Sequence, residues 1–144
     1  MINVVFFLPS IGIGGAEISL SRIATDLLKN KKIKISIVVA KNLPKNKEVH
    51  LPDNLQVVYL GSKKTIYSIF KLVKYLRNQN PDIVLTTLPT SNFLVVILKK
   101  LNLIKSKVIL REANSNYLYW KDGILNKIKG RLAVFAFNNS DGNI

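Results

Sequence analysis

The sequence predicts a three-layer α/β domain in which helices flank a mainly parallel β-sheet. Short apolar runs typical of buried strands alternate along the chain with amphipathic segments of helical periodicity. The 144 residues are 48% hydrophobic and 21% charged, which is enough for one globular domain with a core of its own. Several apolar runs end in small polar residues, as expected at the ligand-binding edge of a parallel sheet. We therefore expect one domain over residues 1–144.

The chain opens with a strand, a glycine-rich turn and a helix. The apolar run from Val4 to Leu8 is closed by Pro and Ser and predicts a buried strand. A helix to about Lys29 follows, because apolar residues recur at helical spacing at Ala16, Leu20, Ile23 and Leu27. Glycines before a helix N-terminus leave backbone N–H groups free and let a phosphate approach the main chain. The alternative is a tight connection that binds nothing, and the turn alone does not decide between the two.

The next two strands are predicted at Ile33–Ala40 and Leu55–Leu60. The second of them is closed by Gly and Ser. Between the strands, residues Lys41–Asn54 are polar and predict an exposed loop. This loop contains His50, the only histidine, which we expect to be solvated rather than catalytic.

A basic amphipathic helix is predicted from Thr65 to Asn78. Its apolar stripe is expected to pack on the sheet and consists of Ile66, Ile69, Phe70, Val73 and Leu76. The polar side of the segment is crowded with cations, namely Lys63, Lys64, Lys71, Lys74 and Arg77. Such a face is suited to an anionic membrane surface, and that interpretation is compatible with a stripe buried in the core.

The second half of the chain continues the alternation of strands and helices. Strands are predicted at Asp82–Thr87 and Lys107–Leu110, with a hydrophobic helix at Asn92–Leu101 between them, capped by Thr90 or Ser91. An aromatic loop at Asn116–Asp122, a helix at about Ile124–Phe137 and the start of another strand within Asn138–Ile144 complete the pattern. Three polar segments, Ile11–Gly15, Thr86–Asn92 and Arg111–Asn114, are then expected to converge on the carboxyl edge of the sheet.

Charge and composition limit the classes of function. The net charge of +14 favours an anionic partner, but only four of the 22 basic residues are arginines, so surface attraction is favoured over base recognition. A nucleic-acid module therefore remains the weaker alternative to a membrane-surface module. The sequence has no cysteine, no basic region at its start and no apolar run near the roughly 20 residues that cross a bilayer. We expect a cytoplasmic protein, peripheral at the inner face of the membrane if the basic helix binds lipid.

Standard nucleotide and metal motifs do not fit the sequence. A dinucleotide fingerprint needs a third glycine where Glu17 stands, and an acidic residue where Lys41 and Asn42 follow the second strand. No Gly-Lys-Ser/Thr follows the glycines, which argues against a Walker loop. With one histidine and no cysteine, a zinc site or a Ser-His-Asp triad would have to use His50, which lies in the polar loop and away from the expected site. We expect no cofactor and no metal.

One family accounts for these features together. The segment from Pro9 to Glu17, with Ser19-Leu20 and Ala24, resembles the start of group 1 (family 4) glycosyltransferases. Further similarity lies, in order, at Leu55–Gly61, Asn80–Val84, Val108–Asn114 and Asp141–Ile144. The resemblance covers essentially the whole chain and implies the Rossmann-like N-terminal domain of a two-domain GT-B architecture.

The resemblance also implies roles for single residues. In this family the glycine loop approaches the diphosphate of a nucleotide-sugar donor, and Gly12, Gly14 and Gly15 form the corresponding loop here. The acceptor side of the cleft, which takes a glycan or lipid-linked glycan of cell-surface polysaccharide synthesis, corresponds to Glu17, Thr87, Arg111, Glu112 and Asn114. Many relatives carry a histidine after the fourth or fifth strand. This chain has Thr86-Thr87 and Ala113 there, so no catalytic residue is assigned.

The resemblance further implies a second domain that carries the nucleotide site and a paired-glutamate motif. Nothing within residues 1–144 corresponds to that domain. We therefore expect an N-terminal domain that folds but does not transfer sugar without the missing C-terminal domain.

Overall fold

A computed structural model describes residues 1–12, 14–44, 49, 51–111 and 124–144. Six strands form one sheet in the order β3-β2-β1-β4-β5-β6, and every neighbouring pair is parallel. The elements are β1 (Ile2–Leu8), α1 (Gly15–Leu27), β2 (Ile33–Val39), β3 (Gln56–Tyr59), α2 (Ile69–Gln79), β4 (Ile83–Thr87), α3 (Pro89–Lys100), β5 (Lys107–Arg111), α4 (Ile124–Asn138) and β6 (Gly142–Asn143). This order is that of a Rossmann-like sheet, with its topological switch point between β1 and β4. The predicted α/β fold is confirmed.

The sheet separates two hydrophobic cores. On one face, α2, α3 and α4 cover alternate residues of the central strands, including Val5, Phe7 and Val84. On the other face, α1 covers Phe6 and Leu8. Because both faces of β1 are covered, its apolar residues form a continuous buried run rather than an alternating one.

The stripe predicted for α2 is partly wrong. Leu72 and Leu76 are buried and Ile69 packs against the core, but Phe70 is 85% exposed and Ile66 is 50% exposed. A 3-10 helix over Thr65–Ser68 precedes α2, so Ile66 is out of phase with the α-helical face. Phe70 lies about 100° around the helix axis from Ile69, since an α-helix turns by that angle per residue.

The predicted start of α3 is also wrong. The helix begins at Pro89 rather than Asn92, and Leu88 is its N-cap, with no side chain capping the first turn. Pro suits the first helical position because its missing N–H needs no partner there. Leu88 has a φ of 72°, an unusual backbone angle for a residue with a Cβ. The sharp turn between β4 and α3 therefore replaces the side-chain cap expected from Thr90 or Ser91.

Candidate functional site at the carboxyl edge of the sheet

The glycine loop, residues 11–15, joins β1 to α1 at the carboxyl edge of the sheet. Gly14 is the N-cap of α1, its φ and ψ of −74° and 146° are extended, and no side chain caps the helix. A Cβ added to Gly15 would meet nothing within 4 Å, and both glycines are exposed. The first N–H groups of α1 are therefore accessible, as an anion-binding helix N-terminus requires.

Glu17 occupies the space next to this loop. A Cβ built on Gly14 would lie 2.5 Å from Glu17 Oε2, so the carboxylate packs directly over that glycine. Ser10 Oγ donates a long hydrogen bond of 3.5 Å to Glu17 Oε1. The negative charge lies in the first turn of α1, where it interacts favourably with the helix dipole. A phosphate that approached Gly14 would displace this carboxylate, since the two anions compete for the same end of the helix.

A second polar group of residues lies on the neighbouring strand ends. We call Thr86, Thr87, Ser91, Asn92 and Arg111 the β4–β5 polar cluster. Its first four members are at most 3% exposed. Phe7 of β1 is paired with Thr86, and Thr87 with Arg111, so the cluster lies on the strands adjacent to the glycine loop. Thr87 Oγ1 and Asn92 Nδ2 both donate to the Arg111 carbonyl oxygen, at 3.3 and 3.4 Å.

Four polar atoms of this cluster are buried without a hydrogen bond in the described part of the chain. They are Thr86 Oγ1, Ser91 Oγ, Asn92 Oδ1 and Arg111 Nη1. An unpaired buried polar group costs roughly 1–3 kcal/mol, and folded proteins rarely leave several together. The cluster offers hydroxyl, amide and guanidinium groups, which match the hydroxyls of a sugar or the oxygens of a phosphate. The backbone of Leu88, at a φ of 72°, adds local strain to the same turn.

The structure tests the placement of the predicted site residues only in part. Gly12, Gly14, Gly15 and Glu17 lie together at the end of β1, and Thr87 contacts Arg111 on the adjacent strands. Glu112, Asn114, His50 and the aromatic loop lie outside the described residues. The cations of the basic helix lie beside β3, the outer strand of the sheet, and not beside β4 and β5. Lys63 and Lys64 follow the carboxyl end of β3, Lys71 donates a hydrogen bond to the Leu60 carbonyl oxygen there, and Lys74 and Arg77 lie further along α2.

Ser91 and Asn92 were not predicted as ligand-binding residues. Their signal in the sequence is polarity at the start of an otherwise apolar helix, which is ordinarily a capping pattern. The structure instead buries both side chains under the strand ends, at 0% and 3% exposure. Among the described residues, no group of three or more His, Cys, Asp or Glu side chains is arranged to hold a metal ion.

The chain matches no protein-family model and no curated protein at a significant level of sequence similarity. Its fold is similar to solved structures. Sucrose-phosphate synthase from Thermosynechococcus elongatus matches 99% of this chain at a TM-score of 0.73 and 9% identity, over 42% of its own length. The lipopolysaccharide outer core galactosyltransferase WaaB matches 99% of this chain at a TM-score of 0.66 and 12% identity, over 38% of its length.

Another similar structure carries a dinucleotide. The Bordetella bronchiseptica enzyme WbmH in complex with NAD⁺ matches all of this chain at a TM-score of 0.60 and 14% identity, over 55% of its length. Across the five similar structures compared, this chain spans only 30% to 55% of the other protein. Such low identities establish the shared fold. The chain therefore has the Rossmann-like fold of an N-terminal GT-B domain, as the resemblance in its sequence predicts.

Proposed function

We propose that this domain forms the acceptor side of a glycosyltransferase that moves a sugar from a nucleotide-sugar to a glycan or lipid-linked glycan. The main observation is the pairing of an open glycine loop with buried polar atoms on the adjacent strand ends that have no hydrogen-bond partner among the described residues. The galactosyltransferase among the similar structures supports the reaction class. The shared fold does not identify the sugar or the acceptor, so both are part of the proposal.

In the proposed reaction, an acceptor hydroxyl oxygen attacks the anomeric carbon while the bond from that carbon to the donor diphosphate breaks, and the hydroxyl proton is released to the solvent. The diphosphate leaves with the bonding electrons and gains negative charge. The free N–H groups at the start of α1, beside Gly14 and Gly15, would stabilise that charge. Arg111 and the amide of Asn92 would hold the acceptor, because Arg111 Nη1 can donate a hydrogen bond to a sugar oxygen and Asn92 Oδ1 can accept one from a sugar hydroxyl.

In the proposed site, the Glu17 carboxylate blocks the approach to Gly14 until an anionic ligand displaces it. In the absence of ligand its carboxylate lies over Gly14, where the diphosphate would approach. Donor binding would move the side chain toward the acceptor side, because two anions in one site repel each other. The side chain has the freedom for this movement, since the hydrogen bond that it accepts from Ser10 is long.

The competing function is dinucleotide binding, which the strand order and the NAD⁺-bound similar structure favour. Against it, Glu17 stands where the fingerprint requires the third glycine. The chain also has Lys41 and Asn42 after β2, where a ribose-binding acid is expected.

A titration followed by amide NMR distinguishes the two functions. UDP, GDP, ADP and NAD⁺ are added separately to the ¹⁵N-labelled chain. We expect a nucleoside diphosphate to shift the amides of the glycine loop at millimolar concentration, and NAD⁺ to shift them no more strongly. Saturable micromolar binding of NAD⁺ at the loop would replace our proposal with the dinucleotide function. The titration is repeated with Gly142→Ala, a glycine variant away from the loop, which should bind nucleoside diphosphates as the original chain does. The substitution is tolerated because a Cβ there meets only Ile109 Cγ1, at an ordinary 3.8 Å.

A further inference from the structure

A second surface of the molecule combines exposed apolar side chains with cations. We define the α2 surface by four exposed apolar residues and the cations around them. The apolar members are Ile66, Tyr67, Phe70 and Leu101, and the cations are Lys63, Lys64, Lys74 and Arg77. Phe70 and Leu101 are 85% and 62% exposed. Isolated apolar residues on a surface are ordinary, but Phe70 and Leu101 line the same groove, and an exposed apolar patch of that kind marks an interaction site.

The patch includes a groove of about 570 Å³ between α2 and the end of α3. Its walls are mainly apolar and include Phe70, Val73, Leu98 and Leu101. The side chains of Lys74 and Arg77 also line the groove. Phe70, Val73, Lys74 and Arg77 recur at helical spacing, so they occupy one face of α2. This face therefore presents apolar and cationic groups side by side rather than on opposite sides of the helix.

The charge on this surface is of one sign. From Asn54 to Asn80 the sequence has five Lys and Arg residues and no Asp or Glu. Within the described residues, the ion pairs are Lys29–Asp26 and Lys99–Asp141, so no cation of the α2 surface is neutralised by a carboxylate. Lys64 Nζ lies 5.9 Å from the centre of the Tyr67 ring, which keeps this cation beside the apolar patch.

One predicted lipid-facing cation is engaged elsewhere. Lys71 Nζ donates a 2.7 Å hydrogen bond to the Leu60 carbonyl oxygen, which ties it to the end of β3. The guanidinium of Arg77 donates through Nε to the Leu103 carbonyl oxygen at 3.0 Å, which holds it at the rim of the groove with other N–H groups remaining. The surface cations without such ties are Lys63, Lys64 and Lys74.

We propose that the α2 surface binds an anionic lipid bilayer, with Phe70 and Leu101 at the level of the upper acyl chains and the cations among the lipid phosphates. Exposed apolar groups alone would fit many partners. The uncompensated positive charge around them complements a surface that is apolar below and anionic above. The groove runs along α2 to the end of α3, and its lining includes no residue of the glycine loop, so a ligand at that loop leaves it uncovered. This proposal does not depend on the proposed function.

Vesicle sedimentation of the whole chain tests this assignment. Vesicles of 30% phosphatidylglycerol in phosphatidylcholine are compared with pure phosphatidylcholine at about 0.1 M salt. We expect binding to the anionic vesicles only. Lys74→Gln with Arg77→Gln should weaken it about 25-fold, on the basis of about fivefold per cation near an anionic surface. Phe70→Ala should weaken it about tenfold and leave the fold intact, because that side chain is almost fully exposed.

The matched control is Lys31→Gln with Lys32→Gln, which removes two exposed cations in the turn between α1 and β2. This variant has the same net charge as the first and should bind within about threefold of the original chain. The double variant Phe70→Trp with Trp120→Phe has its one tryptophan at position 70. If this side chain enters the bilayer, its fluorescence should shift to shorter wavelength on vesicle binding and be quenched by brominated acyl chains.

Four results would overturn the proposal. The first is absence of binding to the anionic vesicles. The second is equal weakening by the control pair, which would reduce the effect to net charge. In the third, Phe70→Ala abolishes a concentration-dependent dimer, which would make the surface a contact between copies. In the fourth, a single-stranded oligonucleotide binds through Lys74 and Arg77 while the vesicles do not, which would assign the surface to nucleic acid.

Discussion

At the scale of single residues, the buried polar atoms of the β4–β5 polar cluster destabilise the fold, and we relate this cost to their proposed role in ligand binding. Ser91 is fully buried and its hydroxyl has no hydrogen bond in the described part of the chain. Ser106 is equally buried but donates a 2.7 Å hydrogen bond to the Pro81 carbonyl oxygen. The two serines therefore form a natural pair for comparison, since the same substitution removes a cost at one position and a favourable bond at the other.

We predict that Ser91→Ala raises the free energy of unfolding by about 1 kcal/mol, because it removes an unpaired buried hydroxyl and improves helix propensity. Ser106→Ala should lower it by about 1 kcal/mol. Urea unfolding measures both. If Ser91→Ala destabilises the chain as Ser106→Ala does, the Ser91 hydroxyl has a partner and the cluster loses its binding role. A gain in stability with a loss of acceptor binding is the pattern expected of a functional site.

The first residue of α1 provides the second comparison at this scale. A Cβ at Gly15 meets nothing within 4 Å, and alanine is favoured over glycine in a helix. Gly15→Ala should therefore raise the free energy of unfolding by about 0.5 kcal/mol. It should also weaken nucleoside diphosphate binding several-fold in the amide titration, because the main chain is no longer bare. Unchanged binding would mean that the phosphate does not approach this glycine.

At the scale of elements, the last strand is held in place by one carboxylate. Asp141 precedes β6, and its Oδ2 accepts a 2.6 Å hydrogen bond from the Val108 N–H and pairs with Lys99 of α3. Burial raises the pKa of Asp141, but the hydrogen bonds from Lys99 and Val108 outweigh it, with help from the charge of Lys107, so the net pKa is lowered. The carboxylate thus connects β5, β6 and α3.

A lowered pKa fixes the direction of the pH dependence. Asp141 stabilises the fold at pH values above the ordinary aspartate pKa of about 3.9, and this contribution is lost as the pH falls through the lower pKa of the folded state. Asp141→Asn should lower the free energy of unfolding by about 1 kcal/mol at pH 7, and the difference from the original chain should shrink as the pH falls through the lowered pKa of Asp141 in the folded state.

Asp26→Asn is the control, since the Lys29–Asp26 pair is exposed and should change stability by less than about 0.5 kcal/mol. Chemical unfolding at a series of pH values measures both variants. A difference at Asp141 that stays constant down to pH 2 would show that the amide and not the charge matters.

The elements also show what the sequence can predict. Continuous apolar runs such as Val4–Leu8 identify buried parallel strands, because both faces are covered, and these predictions are confirmed. The phase of α2 was not predictable in the same way. Its apolar residues outnumber those one face can bury, and the packing of the helix on the core buries Leu72 and leaves Phe70 exposed. Local patterns give the existence of an element, and tertiary packing fixes its buried face.

The candidate site follows the same division. The meeting of Thr87 and Arg111 was predictable, because the carboxyl ends of parallel strands share one edge. The roles of Ser91 and Asn92 were not, because a polar helix start predicts a cap, whereas Leu88 and Pro89 begin the helix without one. Hydrogen-bond satisfaction depends on contacts between distant residues and leaves no local trace in the sequence.

At the scale of the whole molecule, two surfaces divide the chemistry. The carboxyl edge carries the glycine loop, Glu17 and the β4–β5 polar cluster, whereas the α2 surface carries uncompensated cations and exposed apolar groups. Among the described residues, no helix is long and apolar enough to cross a membrane. If the acceptor is lipid-linked, the two surfaces would serve the same reaction. The α2 surface would hold the domain at the bilayer that carries the acceptor, and the carboxyl edge would bind the acceptor's sugar.

The last prediction concerns the proposed division of labour between two domains. In the proposed function the glycine loop would contact a diphosphate from one side only, and this chain spans 30% to 55% of the similar structures. A ligand that is contacted on one side only loses the same translational and rotational entropy on binding but makes fewer contacts, so it binds more weakly. We predict that the 144-residue chain binds nucleoside diphosphates at millimolar concentration and transfers no sugar above the uncatalysed rate. Nucleoside diphosphate release from a panel of nucleotide-sugars, with glycan acceptors present, measures this. Transfer that Arg111→Gln abolishes would leave the glycosyltransferase proposal in place and remove the need for a second domain.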